Sequence, residues 1–318
     1  MKESVKIPDI IDKANSQNLT HIFLTVSPVT SLIYRMIVEK YSIDKNKIKV
    51  FSFRNTDTSI INYCVKKIKS KRYYRILEKF LWDSPNGRKI SYSIGQNDYI
   101  VYCSWAFREA NWLINNKKCK GHIYIEEGQH SYMNISSYDP TNISLTDKIK
   151  KNWKNRFSNI DEYGYYFRND ADAFIGLNND IFPNISKTKK YYLDNLNEMK
   201  KYYKPKLLGI SKIGLSCATR RVKEENWEEM LQKLFGYVGA GGAIKAHPSF
   251  SVSQQLRSKF KRTFDKLNTK NYFLCSDEII LELEMLFEPK ILFGPQTSLS
   301  KYAKLLGSEF IDIKLYSE

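Results

Sequence analysis

Apolar residues along the chain fall into short, nearly unbroken runs separated by longer segments with helical spacing. Runs over 20–26, 48–53, 99–103, 121–125 and 172–177 read as strands, because a strand covered on both faces is continuously apolar rather than alternating. Between them, 29–41 and 105–114 have helical spacing, as does 60–81, although it is crowded with Lys66, Lys67, Lys69, Lys71 and Arg72. Ser27-Pro28 suits a helix start, since proline is tolerated in the first turn. Over 131–169 the regularity gives way to Ser, Asn, Tyr and Lys with one basic helical stretch at 145–153. That segment reads as an excursion from the sheet, able to cover a substrate.

The pattern then starts afresh. Strands at 213–217, 243–245, 272–274, 291–293 and 310–313 alternate with helices at 224–235, 254–267, 276–287 and 299–306. Ser276 is expected to cap the third of these helices, with Asp277 and Glu278 in its first turn. Alternation of strand and helix predicts parallel sheets with crossover helices. The expected class is α/β, with two Rossmann-like doubly wound domains facing a central cleft, and 318 residues suffice for two cores. The first domain is expected over 1–186, a polar, Tyr-rich link over 187–206, and the second domain over 207–318.

Open α/β sheets bind ligands at the carboxyl ends of their strands, which directs attention to the turns. The run over 121–125 ends in Glu126-Glu127-Gly128. Neighbours on an extended chain point to opposite sides, so one acid should face the cleft and the other support the loop, unless both are simply solvated. In the second half, Thr219-Arg220, Lys245 to His247 with Pro248, and Thr297-Ser298 gather at one edge if the strands are parallel. Hydroxyls and free N–H groups at a helix start suit an anionic oxygen, and an imidazole can donate a hydrogen bond or proton to a departing phosphate. Each pair also has an ordinary structural use, His-Pro as a turn and Thr-Ser as a helix cap.

Charge widens the choice of partner before motifs narrow it. The 51 Lys+Arg against 34 Asp+Glu leave +17, a field that attracts nucleic acid, an acidic membrane surface or an anionic substrate. The basic residues are scattered and no nucleic-acid motif accompanies them, so no nucleic-acid partner is expected, although the tyrosines could stack on bases. The first twenty residues are charged and no later stretch approaches the ~20 apolar residues of a membrane helix. A cytoplasmic protein is expected, peripheral at most to the anionic inner membrane face. Cys64, Cys103, Cys119, Cys217 and Cys275 are odd in number and lack a C-x-x-C pair, as buried reduced thiols would be. Asp170-Ala171-Asp172 resembles a metal-binding D-x-D but precedes its strand, and His21, His122 and His130 have no metal spacing. His130 fits a loop hydrogen bond or the lining of an acceptor cleft. Paired glycosidase acids stand ~5 Å or more apart across a bond, which adjacent strand residues do not provide, and no G-x-S-x-G elbow is present.

Taken in order, Glu126-Glu127-Gly128, Lys245-x-His247-Pro248 and Thr297-Ser298 after a glycine-containing turn resemble the bacterial sialyltransferases of the two-domain GT-B type, glycosyltransferase family 52 and related capsule and lipooligosaccharide enzymes. The resemblance spans about 20–313 and rests on motifs of a few residues each. It implies an inverting, metal-independent sialyltransferase, without cofactor, that moves sialic acid from CMP-sialic acid to a sugar hydroxyl of a bacterial surface glycan, such as a terminal galactoside. Carried over by position, Glu127 is the general base, supported by Glu126 and Gly128, and His247 contacts the leaving phosphate. Thr297 and Ser298 bind the same phosphate, Thr219, Lys245 and Pro248 line the donor site, and Glu284, or else Glu282, holds the ribose. The sequence departs from the family in having Glu-Glu where Asp-Asp is commoner and Thr-Ser where Ser-Ser is commoner. The first change lengthens the base by a methylene, and the second keeps both hydroxyls. Other CMP-activated nonulosonic acids and CMP-Kdo remain open as donors.

Overall fold

The computed structural model describes residues 8–53, 65–68, 85–105, 107–132, 167–168 and 170–315. The chain divides into two compact units, Met1–Leu196 and Asn197–Glu318. The boundary falls inside the stretch expected to link the halves, but that stretch is not a tether: Lys190–Tyr192 is an edge strand of the first sheet.

In the first unit the strands are β1 (Thr20–Thr25), β2 (Ile48–Ser52), β3 (Val65–Lys67), β4 (Tyr99–Cys103), β5 (Cys119–Ile125), β6 (Ala173–Gly176) and β7 (Lys190–Tyr192). They form one sheet in the order β3-β2-β1-β4-β5-β6-β7, with every pair parallel. Central β1 and β4 are buried along their whole length, which explains their unbroken apolar runs. Helices α1 (Asp9–Ser16), α2 (Pro28–Lys40), α3 (Pro85–Ile94) and α4 (Arg108–Ile114) accompany the sheet. The Ser-Pro signal is used at α2: Ser27 Oγ accepts from Thr30 N–H at 3.2 Å, Thr30 Oγ1 accepts from Ser27 N–H at 3.1 Å, and Pro28 opens the first turn. The buried Tyr34 of α2 donates its hydroxyl to Leu24 O at 2.6 Å, and the same oxygen lies 3.1 Å from Tyr102 O. This ties the helix to both central strands.

In the first unit the elements depart from the expected ones at three places. Val65–Lys67, expected in a helix, is strand β3, held to β2 by the register Val50↔Val65; its lysines are tolerated because they are exposed at a sheet edge. Helices α1 and α3 were not expected, since each carries few apolar positions; α1 buries only Ile11 and Ala14. Residues 60–64, including Cys64, and 69–81 of that expected helix, and the basic helix at 145–153, lie outside the described residues.

The second unit has β8 (Lys212–Leu215), β9 (Ala243–Lys245), β10 (Phe273–Leu274), β11 (Ile291–Gly294) and β12 (Glu309–Asp312), all parallel, in the order β10-β9-β8-β11-β12. Helices α5 (Trp227–Val238), α6 (Gln254–Leu267), α7 (Leu281–Phe287) and α8 (Leu299–Leu305) connect them. Trp227, Phe250 and Phe260 form one aromatic knot, and Phe235 stacks on Tyr272 with centroids 4.0 Å apart. Ser276 does not cap α7, which starts five residues later behind Ile280. The Lys245 ammonium instead takes the carbonyls of Ser276 and Ile279 at 2.6 and 2.9 Å and holds 276–279 as a turn.

Burial pushes the imidazoles of His21 and His122 down, each to about 4 from 6.5. Asp170 near the His122 ring opposes this shift only in part. Both groups are therefore neutral when folded and charged when unfolded between these limits, so stability falls as pH drops from 6.5 towards 4. Urea unfolding near pH 5 should take up about two protons from this pair, each worth ~1.4 kcal/mol per pH unit. A doubly substituted H21N/H122N chain should show a correspondingly flatter pH slope, and an unchanged slope would contradict the assignment.

Candidate functional site

Because the strands are parallel within each sheet, their carboxyl ends share one edge in each unit. Strand order reverses between β1 and β4 and again between β8 and β11, the position at which open sheets bind ligands.

At the edge of the first unit, the two acids after β5 occupy different environments. Glu126 is fully buried; one carboxylate oxygen accepts from Leu177 N–H at 2.7 Å and the other from the Tyr132 hydroxyl. Asn178 Nδ2 donates to the same hydroxyl at 2.8 Å. These donors offset the cost of a buried charge, and burial together with Glu126 pushes the Tyr132 phenol up. Gly176 leaves the space required: a Cβ there would lie 2.7 Å from Glu126 Oε2 and 2.2 Å from Ile181 Cδ1. Glu127 is only partly buried, and its N–H donates to Ser131 Oγ at 3.0 Å. Gly128 turns the chain with φ 130°, a conformation that favours glycine, and its carbonyl accepts from Ser131 N–H at 3.0 Å. The carboxylate of Glu126 thus serves the turn, while Glu127 stands at its surface. The side chain of His130 lies outside the described ones.

At the edge of the second unit, His247 is built into a network of strand ends. Its N–H donates to Ser216 Oγ after β8 at 2.8 Å. Its Nδ1 accepts from Ser249 N–H at 3.1 Å and lies 2.9 Å from Ser249 Oγ, which itself accepts from Thr219 N–H at 2.9 Å. A backbone amide only donates, so Nδ1 is an acceptor and the neutral ring carries its proton on Nε2. Pro248 follows as the first residue of a 3-10 turn that His247 caps. Thr297 and Ser298 follow β11, the neighbour of β8, at the same edge; Thr297 Oγ1 accepts from Leu299 N–H at 3.2 Å, and Ser298 makes no side-chain cap bond to α8. The strands are drawn close here, since a Cβ on Gly294 would lie 2.6 Å from Leu215 Cβ.

Two expected donor-site residues have other duties. Lys245 braces the 276–279 turn described above. Glu284 is buried and accepts from the Tyr203 hydroxyl at 2.6 Å, Lys206 N–H at 2.9 Å and Leu207 N–H at 3.0 Å, so its carboxylate clasps the 203–207 segment. The sequence reading also passed over Ser216, Ser249 and Tyr132. A signal for Ser249 was present, because a hydroxyl directly after a His-Pro pair, two residues on from the ring, is placed to meet it.

Among the described residues no group of three His, Cys, Asp or Glu side chains is placed to hold a metal. Asp172 precedes β6, at the edge away from Glu126, and accepts from His122 N–H at 2.8 Å; Asp170 pairs with Arg168 at 2.6 Å. The described cysteines are free; burial pushes the Cys217 thiol up to about 11 and Cys275 to about 12, which suits packing rather than nucleophilic work. No helix among the described residues is long and apolar enough to cross a membrane.

No protein-family profile matches the chain, and neither does any curated protein sequence. Solved structures do. MnaA of S. aureus, solved with UDP, superposes with a TM-score of 0.52 at 9% identity, covering 92% of this chain and 78% of that one. A protein of Listeria monocytogenes assigned as a UDP-N-acetylglucosamine 2-epimerase gives the same TM-score, identity and coverage. At such identities the likeness is one of fold: α/β, with two Rossmann-like units of the GT-B class.

The geometry of His247 can be read directly. In a 15N imidazole spectrum of the neutral ring, Nδ1 should resonate as an unprotonated acceptor and Nε2 as the protonated nitrogen. A protonated Nδ1 in the neutral form would contradict the network.

Proposed function

We propose that the chain is an inverting glycosyltransferase acting on a nucleotide-activated sugar, and that the donor is CMP-sialic acid. The observation that carries this reading is His247: an imidazole fixed by Ser249 and Ser216, with its proton on Nε2, at the carboxyl edge beside the strand reversal of the second unit. The order of the Glu-Glu-Gly, His-Pro and Thr-Ser motifs, resembling the GT-B sialyltransferases, supports the choice of donor.

In this reaction the acceptor hydroxyl oxygen attacks the anomeric carbon, and the bond from that carbon to the phosphate oxygen breaks on the opposite face. Glu127 takes the hydroxyl proton. The CMP phosphate leaves with the electron pair, receiving hydrogen bonds from His247 Nε2–H and the hydroxyls of Thr297 and Ser298. Fixed donors aimed at developing charge are the larger part of such catalysis. CMP-sialic acid carries one phosphate on a tertiary anomeric carbon and ionises readily, so these groups meet its needs without a metal clamp. Glu284, or else Glu282 of the same helix, holds the ribose in this reading; both are buried, and Glu284 also clasps 203–207. The acceptor is a sugar hydroxyl of a surface glycan, a terminal galactoside by the same resemblance. A second reading, a UDP-sugar enzyme, is favoured by the UDP bound in the S. aureus structure.

Offered CMP-sialic acid and a galactoside panel, with EDTA present, the protein should release CMP, and UDP-N-acetylglucosamine should not substitute. E127Q should lower kcat/KM roughly 10²–10⁴-fold with the fold intact. H247A should lower kcat roughly 10²–10³-fold and weaken CMP binding. Near-normal turnover in both variants, or turnover of the UDP-sugar in place of the CMP-sugar, would remove the reading.

A further inference from the structure

A groove between α3 and α4 opens at the amino edge of the first sheet, where Gly95 and Gln96 lead into β4 and Asn116 and Lys118 lead into β5. It has a volume of about 440 Å³ and is lined by Arg88 and Tyr92 of α3, Trp112 of α4, and Lys118, with Tyr99 at the start of β4. The register of α3 decides what reaches it. Ile90 and Ile94 are buried in the core of the unit, so residue 92, midway between them, is carried to the opposite side at about 100° per residue. Tyr92 is accordingly 91% exposed, more than any other large hydrophobic side chain among the described residues. Arg88 and Lys89 precede it by four and three positions, a spacing that shares its face, and both are exposed.

Single exposed apolar residues are ordinary, but here an almost wholly exposed phenol and a partly buried indole share one groove with two cations. Among the described residues that line it, none is acidic. Asp98, in the turn before β4, is paired with Lys120 at 3.1 Å. The Lys118 ammonium donates to Gly95 O at 3.2 Å and to the Gln96 side chain, which holds its charge at the groove wall. Lys117 beside it is exposed. Aromatic side chains with a polar tip settle at the level of lipid headgroups, and anionic lipids attract the cations that flank them. A small anion would engage the cations and leave Tyr92 in water, whereas a headgroup surface uses both. The net charge of +17 adds a longer-range pull of the same sign.

We propose that Arg88, Lys89, Tyr92, Trp112, Lys117 and Lys118 form a face that docks the protein on a bilayer surface carrying anionic lipid headgroups, with Tyr92 entering the headgroup layer. Docking of this kind does not depend on which sugar nucleotide is the donor. The groove also stands at the opposite end of β5 from Glu127, so changes there leave the assigned machinery in place.

Co-sedimentation of the full chain with vesicles tests the face, using phosphatidylcholine alone and phosphatidylcholine with about one third phosphatidylglycerol. The wild type should bind the anionic vesicles and not the neutral ones, and high salt should release it. R88E/K89E changes the charge by four units, each worth about fivefold at such a surface, and should weaken binding more than about a hundredfold. K261E/R262E makes the same change at exposed positions of α6 and should stay within about fivefold of the wild type, because distant charges are screened. Y92A should weaken binding severalfold and Y92W should retain it. Thermal unfolding of the α3 variants should stay near that of the wild type, since all three side chains are exposed. Equal losses in the two charge-reversed variants, wild-type binding in Y92A, equal binding to neutral vesicles, or no binding to anionic ones would overturn the docking face. A single-stranded oligonucleotide bound more tightly than the anionic vesicles, and lost in R88E/K89E, would give the face to nucleic acid and overturn it as well.

Discussion

Parallel pairing within each sheet is the constraint on which the rest depends. A parallel ladder requires the chain to return to the same side before each new strand, so all seven strands of the first sheet and all five of the second end at a common edge of their unit. Residues far apart in sequence are thereby delivered to one place. In the second unit this brings Ser216, Thr219, His247 and Ser249 into a single hydrogen-bonded set although β8 and β9 are separated by a helix. In the first it brings the ends of β1, β2, β4 and β5 to one edge.

Burial then divides chemically similar residues into different roles. Glu126 and Glu284 are both interior carboxylates, and each is satisfied by N–H and hydroxyl donors from a neighbouring segment. Removing either would strand those donors at roughly 1–3 kcal/mol apiece, the signature of a structural clasp. Glu127, beside Glu126, is only partly buried, and its N–H donates to Ser131 Oγ. Lys245 follows the same logic as the clasps, its ammonium taken by two carbonyls.

Much of the fold was legible in the sequence because the central strands are covered on both faces. Strands at 99–103 and 243–245 and the helix at 254–267 coincide with the elements found. Strand β3 was not legible: Val65–Lys67 is too short and charged to announce itself, and its pairing with β2 comes from tertiary context. The different burial of Glu126 and Glu127 followed from the alternation of an extended chain. The duty of Glu284 did not, since nothing in its own helix reveals that Tyr203 to Leu207 will fold back onto it. Ser249 could have been read from its place just after the His-Pro pair, but its contact with His247 Nδ1 is a feature of the folded turn.

The assignment of the nucleotide to the carboxyl edge of the second sheet is the claim on which the functional reading turns. Hydrogen–deuterium exchange of the full chain with and without CMP tests it most directly. Slowed exchange confined to 216–219, 246–249 and 296–298 is the expected result. Slowed exchange at the glycine-rich turn 239–242 of the opposite edge, or at neither edge, would contradict it.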